Sequence, residues 1–254
     1  MANLVPKLDS TTLVTRAMRL PGIKINRGDF LYKQFRNRYP YETVRRAIEM
    51  NPAAAGISRE EIDRFARESI KYEAAKVSAL SFAAGVPGGI AMAGTVPADI
   101  AQYFGFILRI TQKLAYLYGF SEFRLQEDEI DDATLNEIMV FLGVMFGVNE
   151  ANVAVVKLAE SVVQNIIMQI PQKAIAKGFV YPVVEVIAKK LGYTMSKELF
   201  AKGLSKVVPV MGGVANGGMT YISFRTCSNR LKKKFTELPI SDPAYYSSFY
   251  DENA

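Results

Sequence analysis

The chain has 254 residues, of which 50% are hydrophobic and 22% are charged, so it can bury a full core and wholesale disorder is excluded. It contains no histidine and a single cysteine, Cys227, which excludes Ser-His-Asp and Cys-His catalysis, histidine metal sites and an intramolecular disulfide. The net charge of +6 favours contact with an anionic surface, either lipid or nucleic acid.

Charge is distributed unevenly along the sequence. Nine basic residues and two acids lie within 16–46, and five basic residues and no acid lie within 225–234. The sequence has no helix-turn-helix, RNA-binding or zinc-finger pattern, so nucleic acid is not an expected partner. The basic residues either attract anionic lipid or are simply solvated. The candidate lipid-headgroup residues are Lys232, Lys233 and Lys234.

Caps and helix breakers divide the sequence into three predicted parts. Residues 1–57 are a basic region of short helices, residues 58–237 form one helical domain, and residues 238–254 are a mobile acidic and aromatic tail. No useful length of sequence alternates between polar and apolar residues. The fold is therefore predicted to be all-α, a single helical bundle.

Local signals set the bounds of the predicted helices. The first long helix runs from the capping box Ser58–Glu61 to Gly85. The second begins near Thr95 or Pro97 and ends at Gly119, whose freedom to adopt a left-handed conformation suits a C-cap. Five further helices are predicted. One starts at Asp131–Asp132, two span 151–170 and 179–191, one begins at its N-cap Ser196, and the last spans 214–237.

Two segments without charge, 77–98 and 207–224, reach the length of a membrane span. Proline and glycine pairs break each segment, and broken backbone in bare hydrocarbon leaves polar groups unpaired. We therefore predict two glycine- and proline-broken apolar hairpins that dip either into one leaflet or into a protein core. Small residues spaced four apart also favour close helix crossing. The residues assigned to these dips and crossings are Gly85, Pro87, Gly88, Gly89, Pro209, Gly212, Gly213 and Gly217.

The second long helix is apolar on most sides but carries one polar face. Asp99, Gln102, Arg109 and Lys113 fall within an arc of about 80° at 100° per residue. A helix that is apolar elsewhere is mostly buried. Residues 157–165 form a second polar stripe. The two stripes either face each other across an internal polar site or form ordinary solvent-facing edges.

No pattern predicts a catalytic residue, a cofactor or a metal ion. The acidic run 127–132 lacks the ligand spacing and the glycine of an EF-hand loop. Neither a P-loop nor a nucleophile elbow occurs. An enzyme acting through Asp99, Arg109 or Glu160 is the least favoured hypothesis, because these residues are also compatible with simple ion pairing.

Four short motifs point to a known family. They are Val-Pro-Gly-Gly at 86–89, Val-Pro-Ala-Asp-Ile at 96–100, Gln-Lys-Leu-Ala-Tyr-Leu-Tyr-Gly-Phe at 112–120 and Lys-Val-Val-Pro-Val-Met-Gly-Gly at 206–213. Together they resemble the EcsC protein family over roughly residues 60–236. The resemblance implies a helical, membrane-associated bacterial protein, and it transfers no catalytic residues.

The leading hypothesis is a non-enzymatic, membrane-associated helical protein of the cytoplasmic face, accessory to a transporter or another integral partner. Residues 1–20 contain no apolar run long enough for a signal peptide, so we expect the chain at the inner face of the cell membrane. Its expected partners are membrane lipids or an integral protein, and homo-oligomerisation is left open. The alternative is a soluble helical bundle that binds a lipid-like apolar ligand.

Overall fold

The computed structural model describes residues 14, 15, 17–85, 96–124, 130–167, 184–190 and 213–251. These residues form helices and no β-strand, which confirms the all-α prediction. Residues 86–95 of the first predicted hairpin, residues 207–212 of the second, and the start of the helix expected at Ser196 lie outside the described residues. The helices are α1 Arg27–Phe35, α2 Tyr41–Glu49, α3 Arg59–Gly85, α4 Val96–Leu117, α5 Asp132–Met145, α6 Asn149–Ile167, α7 Gly213–Thr236 and α8 Pro243–Asp251.

Local capping explains several helix ends. The amide of Glu61 donates to Ser58 Oγ at 3.3 Å, and the amide of Thr134 donates to Asp131 Oδ1 at 2.7 Å, so both predicted N-caps form. Gly119 follows α4 with a φ of +100°, as its predicted C-cap role requires. A Cβ at Gly119 would lie 3.0 Å from Asn51 Nδ2, so only glycine fits here without displacing that side chain.

Three long helices, α3, α4 and α7, run side by side through the bundle. Asp63, near the start of α3, forms an ion pair with Lys232 near the end of α7, so these two helices are antiparallel. The Tyr118 hydroxyl, just past the end of α4, donates to Asp63 Oδ1 at 3.1 Å. Thr236 Oγ1 donates to the same hydroxyl at 3.0 Å. Helices α4 and α7 therefore run parallel to each other and antiparallel to α3.

An aromatic cluster fills the core at this end of the bundle. The rings of Phe120, Phe141 and Phe235 are fully buried, and each has its centroid within 5.0 Å of the other two. The cluster joins α5 and α7 to the residues that follow α4. Edge-to-face aromatic pairs of this kind add about 0.5–1.5 kcal/mol beyond area burial.

The first 57 residues share the core of the later helices. The ring centroid of Phe35 in α1 lies 5.1 Å from that of Phe65 in α3. Arg27 is buried and its guanidinium donates to the carbonyl oxygens of Phe120 at 3.1 Å and Met50 at 3.1 Å, and also to that of Ile48. Burial lowers the pKa of Arg27 to about 10, so the guanidinium remains charged. The predicted boundary at residue 57 does not separate two cores.

The prediction of a mobile tail is wrong for residues 239–251. Pro239–Ser241 form a 3-10 turn, and α8 follows it. Ile240 and Tyr246 are buried, and Asn51 Nδ2 donates to the Tyr246 hydroxyl at 2.7 Å. Burial of the Tyr246 ring and of Ile240 anchors this segment, because the free energy of burying them offsets the loss of chain freedom.

Candidate functional site

Two members of the predicted polar face converge on a buried carboxylate. Lys113 Nζ lies 2.6 Å from Glu73 Oε1, and Arg109 Nη2 lies 3.2 Å from the same oxygen. The Glu73 side chain is 0% exposed, whereas those of Arg109 and Lys113 are 19% and 11% exposed. Arg109 also donates to the carbonyl oxygen of Gly22. The cluster joins the middle of α3 to α4 and to the N-terminal segment.

The two cations keep Glu73 ionised in the interior. Burial by itself raises the pKa of Glu73, but the hydrogen bond from Arg109 and the charge of Lys113 outweigh burial and lower it. Rings of Phe30 and Tyr72 lie 5.7 and 5.2 Å from Lys113 Nζ and add cation–π attraction. One acid and two bases give the cluster a net charge of about +1. One carboxylate held by two cations from the neighbouring helix suits a structural clamp between α3 and α4.

The other two members of the predicted polar face are not in the cluster. Gln102 is exposed, so it is not part of an internal face. Asp99 belongs to the first turn of α4, and its side chain lies outside the described residues. The buried amide that does serve the interior is Gln112, which donates to Ile23 O at 2.9 Å and accepts from Ile25 N at 2.9 Å. The four residues predicted to share one polar face therefore do not form one site: Arg109 and Lys113 contact Glu73, and Gln102 is exposed to solvent.

Sequence reasoning missed Glu73, although a signal for it exists. Phe65, Ile70 and Val77 form the buried face of α3, and Glu73 falls among them at helical spacing. A lone acid on an apolar face must be paired or neutral, because burying an unpaired charge is costly. Two cations on the polar face of the next helix were the natural partners.

The second predicted stripe, on α6, faces mostly outward. Lys157, Glu160 and Gln164 are exposed, as expected for a solvent-facing edge rather than an internal site. Asn165 is the buried exception, and its Nδ2 has no hydrogen-bond partner among the described residues. Glu160 is therefore not a candidate for buried acid–base chemistry.

A different carboxyl group is buried without a cation beside it. Glu137 in α5 is 6% exposed. Burial, together with the charge of Asp131, raises its pKa to about 8. Glu137 is therefore mostly protonated at neutral pH, and it lies next to the aromatic cluster rather than near Glu73.

The predicted glycine sites are only partly described. Gly85 and Gly213 are the last residue of α3 and the first residue of α7. Gly217 lies within α7, but its surroundings lie outside the described residues, as do Pro87, Gly88, Gly89, Pro209 and Gly212. The tightest described crossing is instead at Gly143, where a Cβ would lie 2.7 Å from Ala151 Cβ.

The ends of α3, α4 and α7 that adjoin the uncharged segments meet at the same end of the bundle. Asp63 contacts both Tyr118 and Lys232, so these three residues define a common reference level across the bundle. Gly85 lies 22 residues after Asp63 on α3, Val96 lies 22 residues before Tyr118 on α4, and Gly213 lies 19 residues before Lys232 on α7. At a rise of about 1.5 Å per residue these paths are roughly 33, 33 and 29 Å long. We call this the apolar end, formed by 77–85, 96–108 and 213–224.

The three candidate headgroup lysines lie at the opposite end. Lys232 is ion-paired with Asp63, and burial lowers its pKa. Lys234 Nζ lies 3.9 Å from Glu237 Oε2, and Lys233 is exposed. Lys232 joins α7 to α3, and the triplet lies about 30 Å along the helix from Gly213, at the tip of the apolar end.

No helix in the described part of the chain combines the length and the hydropathy needed to cross a bilayer. Over those same residues, acidic and cysteine side chains nowhere form a group of three that could hold a metal ion. No protein-family model, no curated protein and no solved structure matches the chain. The resemblance to the EcsC family therefore remains a prediction.

Proposed function

We propose that the protein is a non-enzymatic, membrane-associated helical bundle that inserts its apolar end into one leaflet from the cytoplasmic side. The observation that carries the proposal is that both uncharged segments adjoin this one end of the bundle. Of the helix ends that form it, 77–85 and 213–224 contain no charged residue, and 96–108 contain only Asp99. Insertion of a single end requires no membrane-spanning helix.

Exposed apolar side chains near the apolar end support this proposal. Leu80 in α3 is 42% exposed, and Ile222 in α7 is 65% exposed. Transferring such a side chain from water to hydrocarbon contributes about 1.5–3 kcal/mol when its burial is complete. Two of them, with the uncharged segments beyond, supply an attraction that salt does not screen.

Fractionation of cells tests the association directly. We expect the native protein to sediment with membranes, to resist a high-salt wash and to resist alkaline carbonate. Basic residues acting alone would be released by salt, because screening shortens to about 3 Å at 1 M. Recovery of all the protein in the low-salt supernatant would overturn the proposal.

Site-specific labelling tests which end inserts. Cys227 is buried, and burial raises its pKa to about 12, so Cys227→Ser gives an inert background for single-cysteine variants. An environment-sensitive dye at Leu80→Cys or Ile222→Cys should shift to the blue on adding protein-free vesicles. The same dye at Lys233→Cys, on the opposite end, should not shift. Equal responses at all three positions would contradict insertion by the apolar end, whereas a response that requires native membranes would favour an integral protein partner.

Three unpaired hydroxyls favour a second candidate function, a bundle that binds a lipid-like ligand internally. The side-chain oxygens of Ser78, Tyr103 and Thr220 are buried and have no hydrogen-bond partner among the described residues. They lie on α3, α4 and α7, at roughly 23, 23 and 18 Å from the reference level. Buried hydroxyls are normally satisfied. Lipid co-purifying with the soluble protein, and lost in Tyr103→Phe, would support this alternative.

A further inference from the structure

On each of the three long helices, one cation lies nearest to the apolar end and borders it. These cations are Lys76 on α3, Arg109 on α4 and Arg225 on α7. Counted from Asp63, Tyr118 and Lys232, they stand about 20, 14 and 11 Å along the bundle. We call these three residues the cationic belt. The three residues are far apart in the sequence. The packing of α3 antiparallel to α4 and α7 brings them to neighbouring positions along the bundle axis.

Two members of the belt are accessible and are flanked by tyrosine. Lys76 is exposed, and its Nζ lies 4.7 Å from the ring centroid of Tyr72. Arg225 is exposed, and its Cζ lies 5.3 Å from the ring centroid of Tyr221. Neither side chain forms an ion pair with an acid in the part of the chain that the structure describes. Both side chains are therefore placed at the surface without an acidic partner there.

The third member of the belt is partly committed. Arg109 holds Glu73, and its side chain is 19% exposed. Because Lys113 holds the same carboxylate, the pair leaves one positive charge in excess near this height. The belt therefore presents a net positive charge from all three helices.

The length of helix between the belt and the tip of the apolar end is close to the depth of one leaflet. From Lys76, Arg109 and Arg225 to Gly85, Val96 and Gly213, respectively, the helices extend about 14, 20 and 18 Å. Half the hydrocarbon thickness of a bilayer is about 15 Å. Asp99 is the one charged residue in this stretch, and its place in the first turn of α4 gives it a favourable interaction with the helix dipole.

Cations and tyrosines at this height are typical of side chains at the membrane–water interface. Tyrosine is enriched at the headgroup level, and long basic side chains extend toward phosphate while their stems contact apolar surface. The arrangement also provides charge complementarity to an anionic surface, since neither exposed cation is ion-paired with an acid among the residues that the structure describes.

We propose that the cationic belt binds the phosphate groups of anionic phospholipids and thereby sets the depth at which the apolar end stops. This inference rests on the proposed function and adds to it a lipid class and a contact surface. The bundle then stands end-on, with α8 and Lys232–Lys234 on the aqueous side. Recognition belongs to Lys76 and Arg225 rather than to the lysine triplet that the sequence favours.

Vesicle binding by matched variants tests the belt. The purified full chain is mixed with vesicles of phosphatidylcholine alone or with phosphatidylserine, and the bound fraction is measured by co-sedimentation. We expect Lys76→Gln and Arg225→Gln each to weaken binding to the mixed vesicles about fivefold, the factor that corresponds to about 1 kcal/mol for one basic residue near an anionic surface. Arg225→Lys should retain binding.

Lys233→Gln is the matched control, because it removes the same charge from an exposed position on the same helix at the opposite end. Lys233→Gln should change binding less than twofold, because salt screens the attraction between this more distant charge and the vesicle surface. Thermal unfolding of each variant checks that the fold is kept. Inorganic phosphate at equal ionic strength should not displace the protein from the vesicles.

The outcomes separate the two proposals. Equal binding to both kinds of vesicle, or equal loss in Arg225→Gln and Lys233→Gln, overturns the belt but leaves insertion of the apolar end standing. Absence of binding to either kind of vesicle overturns the proposed function and the belt together. Selective loss of binding in the two belt variants supports both.

Discussion

At one end of the bundle, Asp63, Tyr118 and Lys232 join three helices through charge and hydrogen bonds above a cluster of buried rings. At the other end, the same three helices finish in residues that carry no charge except Asp99. The first end pairs its buried charges and hydroxyls across helices, as Asp63 does with Lys232 and Tyr118. The second has few polar groups to satisfy, which suits contact with an apolar environment. The same three helices thus have one end that is held by polar contacts within the protein and another end that is suited to an apolar environment.

A pair of truncations on α7 tests this difference most strongly. Phe235 is fully buried and contacts three aromatic rings, so Phe235→Ala should lower the free energy of unfolding by about 4 kcal/mol. Ile222 is 65% exposed, so Ile222→Ala should change it by less than about 0.5 kcal/mol. Denaturant unfolding measures both. Comparable losses would mean that the two ends contribute equally to stability.

Membrane binding should show the reverse ranking: Ile222→Ala should affect it more than Phe235→Ala does. Ile222→Ala removes exposed apolar area and should weaken vesicle binding several-fold, whereas a folded population of Phe235→Ala should bind as the native protein does. Co-sedimentation at a temperature where both variants are folded measures this. Unchanged binding by Ile222→Ala would remove this side chain from the inserting surface.

The Glu73 cluster lies between the two ends and joins α3 to α4. Glu73→Ala leaves Arg109 and Lys113 facing each other without the carboxylate and should cost about 3 kcal/mol, at the low end for a broken buried pair because both cations can reach water. Glu68→Ala, at an exposed position on the same helix, is the control. A silent Glu73→Ala would show that the clamp does not hold α3 to α4.

Glu137, near the aromatic cluster, makes the stability of the fold depend on pH. Because its pKa in the folded state is raised to about 8, the folded protein binds a proton that the unfolded chain has lost, and stability falls as pH rises from about 5 to about 8. Glu137→Gln should remove this slope and gain roughly 5 kcal/mol at pH 9, since the pKa rises from 4.5 to about 8 and each pKa unit corresponds to about 1.4 kcal/mol. Unfolding curves across pH measure it, with exposed Asp132→Asn as control. Parallel profiles for wild type and Glu137→Gln would contradict it.

Local features of the fold could be read from sequence because they depend on neighbouring residues. Ser58, Asp131 and Gly119 act at helix ends through contacts within a few positions, and each was assigned correctly. The all-α class follows in the same way, since the period of apolar residues is a local property. Helix bounds such as Gly213–Thr236 agree with prediction to within one residue.

The site depends on pairings between distant residues, which sequence patterns do not encode. Glu73 meets Arg109 across 36 positions, and Lys232 meets Asp63 across 169. The helical wheel placed Arg109 and Lys113 on a common face, but the wheel has no information about the neighbouring helix. For Lys232 the basic run suggested a free surface, whereas packing against α3 supplies an acid. The apolar end likewise emerges only when the helix directions are known.

The contact between Asn51 and Tyr246 has a consequence for biosynthesis. It links positions 195 residues apart, and the Asn51 side chain is fully buried. A ribosome adding about 5–20 residues per second therefore needs roughly 10–40 s after making Asn51 before its partner exists. For most of that interval the first uncharged segment, 77–98, is already synthesised, whereas the second, 207–224, is completed only 22 residues before Tyr246. The first segment is therefore the one with the longer need of shielding, by a chaperone or by the membrane, before Asn51 meets its partner.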